Sequence, residues 1–145
     1  MRSLFKNISL SSDHAGYRLK ENVKTFLLKK KIKVIDLGPY EEESVDYPDF
    51  AKKVVKSVSS KKSDIGILIC GSGTGMAMSA NKSRKIRAAV CYNNISTRLS
   101  RQHNNANILA LGARLINTDK AFKIVNTFLS TKFEGGRHLR RVKKI

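Results

Sequence analysis

Residues 70–75 read Cys-Gly-Ser-Gly-Thr-Gly, the run in this chain best suited to chemistry. Three glycines in five residues let the backbone turn tightly and open a helix, whose first N–H groups have no partner inside that helix. Such a turn, built from Gly71, Ser72, Gly73, Thr74 and Gly75, can cradle an anion; its plainer role is to join strand and helix closely. Cys70 stands directly before those N–H groups. Helix N-termini favour a thiolate, so Cys70 can act as base or nucleophile, although free cysteine is most often a small buried hydrophobe. Cys91 fits the second role. A dinucleotide fingerprint would need glycine at 71, 73 and 76, but position 76 is methionine and no acidic residue closes the next strand. There is no Walker lysine either.

Further polar groups stand apart in sequence. Asp13-His14, Asp46-Tyr47 and Arg114 each follow an apolar run, and Asp13 can equally cap the helix after it. His103 lies in the polar stretch 101–105 at a helix end, where a histidine commonly serves as a solvated cation. Arg137 and Arg141 are four apart, so on a helical tail they share one face and can clamp a phosphate. Five Arg or Lys side chains fall within 137–144, and a plain basic tail is the alternative. No His, Cys and Asp residues have zinc spacing, and no metal is expected.

The elements needed to position these groups alternate along the chain. Apolar runs at 8–11, 34–37, 65–70, 86–91 and 108–111 read as strands, and 65–70 is apolar enough for a central strand buried on both faces. Helical periodicity at 15–31 places Leu19, Val23, Phe26 and Leu27 on one face. A second helix opens near Pro48, a short one follows the glycine turn to about Lys82, and others span 94–102 and 118–130. Five β–α units in order imply a parallel sheet with helices on both faces. Ligands bind beyond the carboxyl ends of such strands, where Asp13, Tyr47, Cys70 and Arg114 fall.

The 145 residues fit a single domain, 1–145, with 132–145 a basic tail reaching the site. No signal peptide, apolar span or cysteine framework appears, as expected of a cytoplasmic protein with no membrane partner. The net charge of +18 is the odd feature. A nucleic-acid module would explain it, but the lysines scatter over helix faces with no interleaved aromatic residues, as on a solvated surface. Anions are still drawn toward such a surface.

Taken together, Ser12-Asp13-His14-Ala15-Gly16, Asp46-Tyr47-Pro48, Ile69-Cys70-Gly71-Ser72-Gly73-Thr74-Gly75, Ala80-Asn81-Lys82, Ser100-Arg101-Gln102-His103-Asn104 and Phe133-Glu134-Gly135-Gly136-Arg137-His138 closely resemble the type B ribose-5-phosphate isomerase family. That family includes galactose-6-phosphate and allose-6-phosphate isomerases. The resemblance covers almost the whole chain. It implies a Rossmann-like three-layer α/β/α sandwich with a five-stranded parallel sheet, a sugar-phosphate substrate, no cofactor, and a homodimer, with tetramers left open. It also implies aldose–ketose isomerisation through an enediolate in the pentose phosphate pathway, with six-carbon sugar phosphates as alternative substrates.

The resemblance implies roles as well. Cys70 would shuttle the proton between C1 and C2, and His103 would open the furanose ring. Asp13, Tyr47 and Asn104 would hold sugar hydroxyls or the ring oxygen. Ser72 and the backbone of Gly71, Gly73, Thr74 and Gly75 would stabilise the enediolate, and His14, Arg114, Arg137 and Arg141 would bind phosphate. Cys70 and the glycine loop would come from one subunit, His103 and Asn104 from its partner. Some members use a loop glutamate as base; residues 71–80 hold no carboxylate, which places this chain with the cysteine type. Ser72 replaces the threonine frequent there and keeps the hydroxyl.

Overall fold

The apolar runs form strands and the amphipathic stretches form helices, described for residues 2–145 by a computed structural model. The order is β1 (Asn7–Ser12), α1 (Tyr17–Lys29), β2 (Lys33–Asp36), α2 (Tyr47–Ser59), β3 (Ile65–Cys70), α3 (Thr74–Ala80), β4 (Ala88–Val90), α4 (Asn94–Gln102), β5 (Ile108–Gly112), α5 (Thr118–Ser130) and α6 (Arg137–Val142). All strand pairs are parallel, in spatial order β2-β1-β3-β5-β4. Helices cover both faces, so the expected three-layer α/β/α sandwich with a five-stranded parallel sheet is present.

Every residue of β3 is buried, because helices pack on both of its sides. One core lies between the sheet and α1 and α5, centred on Ile8, Leu10, Val23, Leu27, Leu109, Ile124 and Phe128. The other lies under α2 and α3, with Val54, Leu68, Met76 and Ala80. Apart from the small Ala80, each of these side chains gains about 1.5–3 kcal/mol from leaving water. Among the described residues no helix is long and apolar enough to cross a membrane.

The elements differ from the sequence expectation at their ends. Helix α1 begins at Tyr17 rather than 15, because the Gly16 N–H donates to Asp13 Oδ1 at 3.0 Å and holds a turn there. It stops at Lys29, and Lys31 takes the left-handed φ of 60°. Strand β4 covers three residues of the expected 86–91. It is an edge strand whose N-terminal flank has other partners: the Ile86 N–H donates to Ser83 O, and the Arg87 N–H to Asn107 Oδ1.

Candidate active site

The sheet order reverses between β1 and β3: β2 lies outside β1 on one side, while β3, β5 and the edge strand β4 follow on the other. A crevice opens at such a switch point, beyond the carboxyl ends of the strands. The register sets its floor. Ser12 pairs with Ile69, and Cys70 with Gly112. The Asp13 N–H donates to Ile69 O at 3.1 Å and the Arg114 N–H to Gly71 O at 3.0 Å. Asp13, Tyr47, Cys70, Gly71, Ser72, Gly75 and Arg114 therefore line one open cleft of about 430 Å³. A cavity of about 800 Å³ lies by Lys6, Asp64 and Asn107 at the amino ends of the strands, away from the polar rim.

Cys70 is 5% exposed, and the Gly73 N–H donates to its sulfur at 3.1 Å. That donor is aimed by Gly73 itself, which stands at φ +80° before α3, a conformation in which a side chain is strained. An N–H directed at sulfur stabilises negative charge on it. The Ser72 hydroxyl accepts from the Thr74 N–H at 3.3 Å, while the Ser72 carbonyl accepts from the Tyr92 hydroxyl at 3.0 Å. The N–H groups of Gly75 and Met76 fall in the first turn of α3, where no helical carbonyl is available.

Tyr47 opens α2 rather than lying in the loop before it, and its ring rests on Gly75. A Cβ at Gly75 would stand 2.6 Å from Tyr47 Cε1, so this approach requires glycine. His14 Nδ1 accepts from the Val45 N–H at 3.2 Å, so a neutral imidazole carries its proton on Nε2 as an outward donor. Asp13 does not cap α1, whose N-cap is Gly16 without a side-chain bond. One oxygen holds the Gly16 turn, and its carboxylate lines the cleft.

His103, Asn104, Arg137 and Arg141 lie elsewhere. Helix α4 starts beyond β4 and runs back, so His103 at its C-terminus and residues 105–107 sit level with Arg87, just before β4. The intervening β5 has five residues, which at about 3.3 Å each separates the two groups by roughly 15 Å along the strand. Asn104 lines a separate cavity of about 590 Å³ with Asn81 and Arg84. Buried Arg101 holds this turn, donating to Asn105 Oδ1, Ala106 O and Thr131 O while lying over the rings of Phe5 and Phe128. Arg137 and Arg141 share one exposed face of α6, as their spacing implied.

The tail docks here. The Glu134 N–H donates to Gln102 O at 3.1 Å, and the His138 ring stacks on His103 at 4.2 Å and 9°. Glu134 Oε1 lies 3.7 Å from His103 Nε2. Desolvation, reinforced by neighbouring His103 and Arg137, holds the His138 imidazole below its usual range, against the opposite pull of Glu134. Donor atoms of His103, Glu134 and His138 all lie within 4.8 Å of one another. Sequence spacing does not reveal this grouping, because His103 stands thirty-one residues before Glu134, although Glu134 and His138 are only four apart. Tyr92 and Gly112, which press on the Ser72 carbonyl, were also missed; a Cβ at Gly112 would stand 2.7 Å from that oxygen.

Residues 8–145 match the family model described as ribose/galactose isomerase. The chain belongs to the ribose/galactose isomerase family. Ribose-5-phosphate isomerase B of Escherichia coli is 43% identical over 140 residues, covering 97% of this chain and 94% of that protein. The crystal structure of a ribose 5-phosphate isomerase from Thermotoga maritima superimposes with TM-score 0.94 at 59% identity and covers 95% of each chain. Ribose-5-phosphate isomerase B from Mycoplasma genitalium, solved with bound ribulose-5-phosphate, gives TM-score 0.90 at 45% identity and covers 95% of this chain and 92% of that one. The isomerase match takes in both groups of polar residues, the rim and the tail. It agrees with the resemblance drawn from the motifs, and the solved relatives share the fold.

Proposed function

We propose that this chain interconverts ribose 5-phosphate and ribulose 5-phosphate through an enediolate, as a homodimer in the cytoplasm, without cofactor. The observation that carries this reading is the Cys70 sulfur at the switch point, 3.1 Å from the Gly73 N–H, in a cleft walled by Asp13, Tyr47 and Arg114. Cys70 as thiolate removes the proton from C2 of the open-chain aldose. The electron pair left behind becomes the C1–C2 double bond, and the carbonyl π pair moves onto O1. Ser72 and the loop amides not already engaged by the Cys70 sulfur or the Ser72 hydroxyl stabilise that oxyanion, the work that preformed donors do best. The proton returns from sulfur to C1, O2 loses its hydroxyl proton while O1 gains one, and the ketose forms with no net redox change.

Two copies complete the site. His103 of a second chain opens the furanose ring and its Asn104 holds a sugar oxygen, beside Asp13 and Tyr47 of the first. His14 and Arg114 of the first copy and Arg137 and Arg141 of the second bind the phosphate. The separation of His103 from Cys70 within one chain supports this sharing. So do Met78, Tyr92, Ile95 and Leu99, exposed by 37–69% on elements flanking the β4 edge. A two-fold dimer covers the same patch on both copies.

The test is a substrate panel of ribose-5-, allose-6- and galactose-6-phosphate in excess EDTA. Turnover of the pentose phosphate at the highest kcat/KM is expected. Turnover of a hexose phosphate alone, or activity lost to EDTA and restored by zinc or magnesium, would refute the reading.

A further inference from the structure

We propose that His103, Glu134 and His138 bind a divalent transition-metal ion, zinc above all, and that its occupancy shuts the enzyme down. The donor set is two imidazoles and a carboxylate, the composition of open zinc sites in which water fills a fourth position. All three donor atoms already lie within 4.8 Å of one another, and the His103–Glu134 pair is at 3.7 Å. Zinc bonds of about 2.0–2.2 Å in a tetrahedron put ligand atoms about 3.3–3.5 Å apart. Closing the set onto an ion calls for rotation of these side chains.

The backbone that carries these ligands is fixed. His103 caps α4, whose following turn is held by buried Arg101. Glu134 is tied to the same turn through its N–H on Gln102, and His138 sits in the first turn of α6 with its ring buried. The stack of His103 on His138 must open, because each lone pair lies in its ring plane and parallel rings cannot both point at one ion. Glu134 is the one carboxylate in the set, and it offsets the repulsion between the dication and Arg137 and Arg141.

The inhibitory half rests on the proposed role of His103 as ring opener, since a nitrogen bound to metal has no lone pair for a sugar proton. The binding half stands on geometry alone, and the experiment separates them. Zinc is titrated into the intact, EDTA-stripped protein by calorimetry, with isomerase activity followed in parallel. One zinc per chain is expected, with activity falling as the site fills and returning on EDTA. Glu134→Gln and His138→Asn should each weaken zinc binding at least about tenfold, the smaller loss seen when even an outer-shell partner is removed. Cys70→Ser should bind zinc as the wild type does. Cobalt in place of zinc gives a readout needing no variant: weak visible bands without thiolate charge transfer are expected. Thiolate bands, zinc binding lost in Cys70→Ser, or binding unchanged in both ligand variants would overturn the site. Full zinc occupancy with undiminished turnover would overturn the inhibition alone.

Discussion

Cys70 and Cys91 are both buried, yet their surroundings give them opposite fates. Burial pushes the Cys91 thiol up, and hydroxyls of Thr97, Ser100 and Ser96 pull it back less strongly. It remains a neutral packing group. Cys70 instead meets an inward-pointing amide and an open cleft. Cys70→Ala should therefore cut kcat by about 10²–10⁴, the usual value of a positioned acid–base group, in a steady-state assay. Cys91→Ser should stay within a few-fold of wild type, and equal losses would remove any special role for Cys70. His103→Ala should lose most turnover of the cyclic aldose while keeping single-turnover proton exchange on the open-chain ketose; equal losses in both would rule out ring opening. Cys70 was legible in the sequence because its glycines follow it directly. Tyr92 and Gly112 were not, because they act on the Ser72 carbonyl from twenty and forty residues away with no local pattern to mark them.

At the scale of elements, the frame of the cleft depends on how α1 is tied to β2. Lys20 has no exposed side-chain surface, and its ammonium donates to both oxygens of Asp36 at 2.8 and 3.0 Å, between the rings of Tyr17 and Tyr40. Asp36 also accepts from Lys24 and from the Gly38 N–H, which starts the loop leading to Val45 and its bond to His14. Burial pushes the Asp36 carboxyl up, but hydrogen bonds from Lys20, Gly38 and Lys24 outweigh it and hold it below the ordinary 3.8. Its contribution is therefore full above that unfolded-state value and is lost as pH falls through the lower folded one. Asp36→Asn should cost about 3–5 kcal/mol in urea unfolding at pH 7, as when one partner of a buried pair is removed. The gap from wild type should narrow below pH 3.8, where the unfolded chain's carboxyl takes up its proton ahead of the folded one. A gap unchanged by acid would show that the charge of Asp36 is not what matters. The clamp was half legible: Lys20 falls three and seven residues before Val23 and Leu27, which places it on the buried face, yet the apolar pattern alone offered no partner. Strand order was not legible at all. Five β–α units fit several orders, and only long-range pairing puts the crevice between β1 and β3.

For the whole molecule, the reach of α4 decides what one chain can do. Its return to the amino end of the sheet leaves Cys70 and His103 on different sides of the fold, so a complete site needs two copies in the proposed account. The resemblance implied that the two residues come from different subunits; the direction of α4 gives the physical reason within one chain. The dimer makes this measurable. Cys70→Ala and His103→Ala chains, each inactive alone, are unfolded together, refolded in equal amounts and assayed with ribose 5-phosphate. Random pairing makes half the dimers mixed, and each mixed dimer has one site with both lesions and one intact site. Activity should recover to roughly a quarter of wild type by this two-fold symmetry. No recovery, with mixed dimers verified by native mass spectrometry, would contradict the shared site and the mechanism built on it.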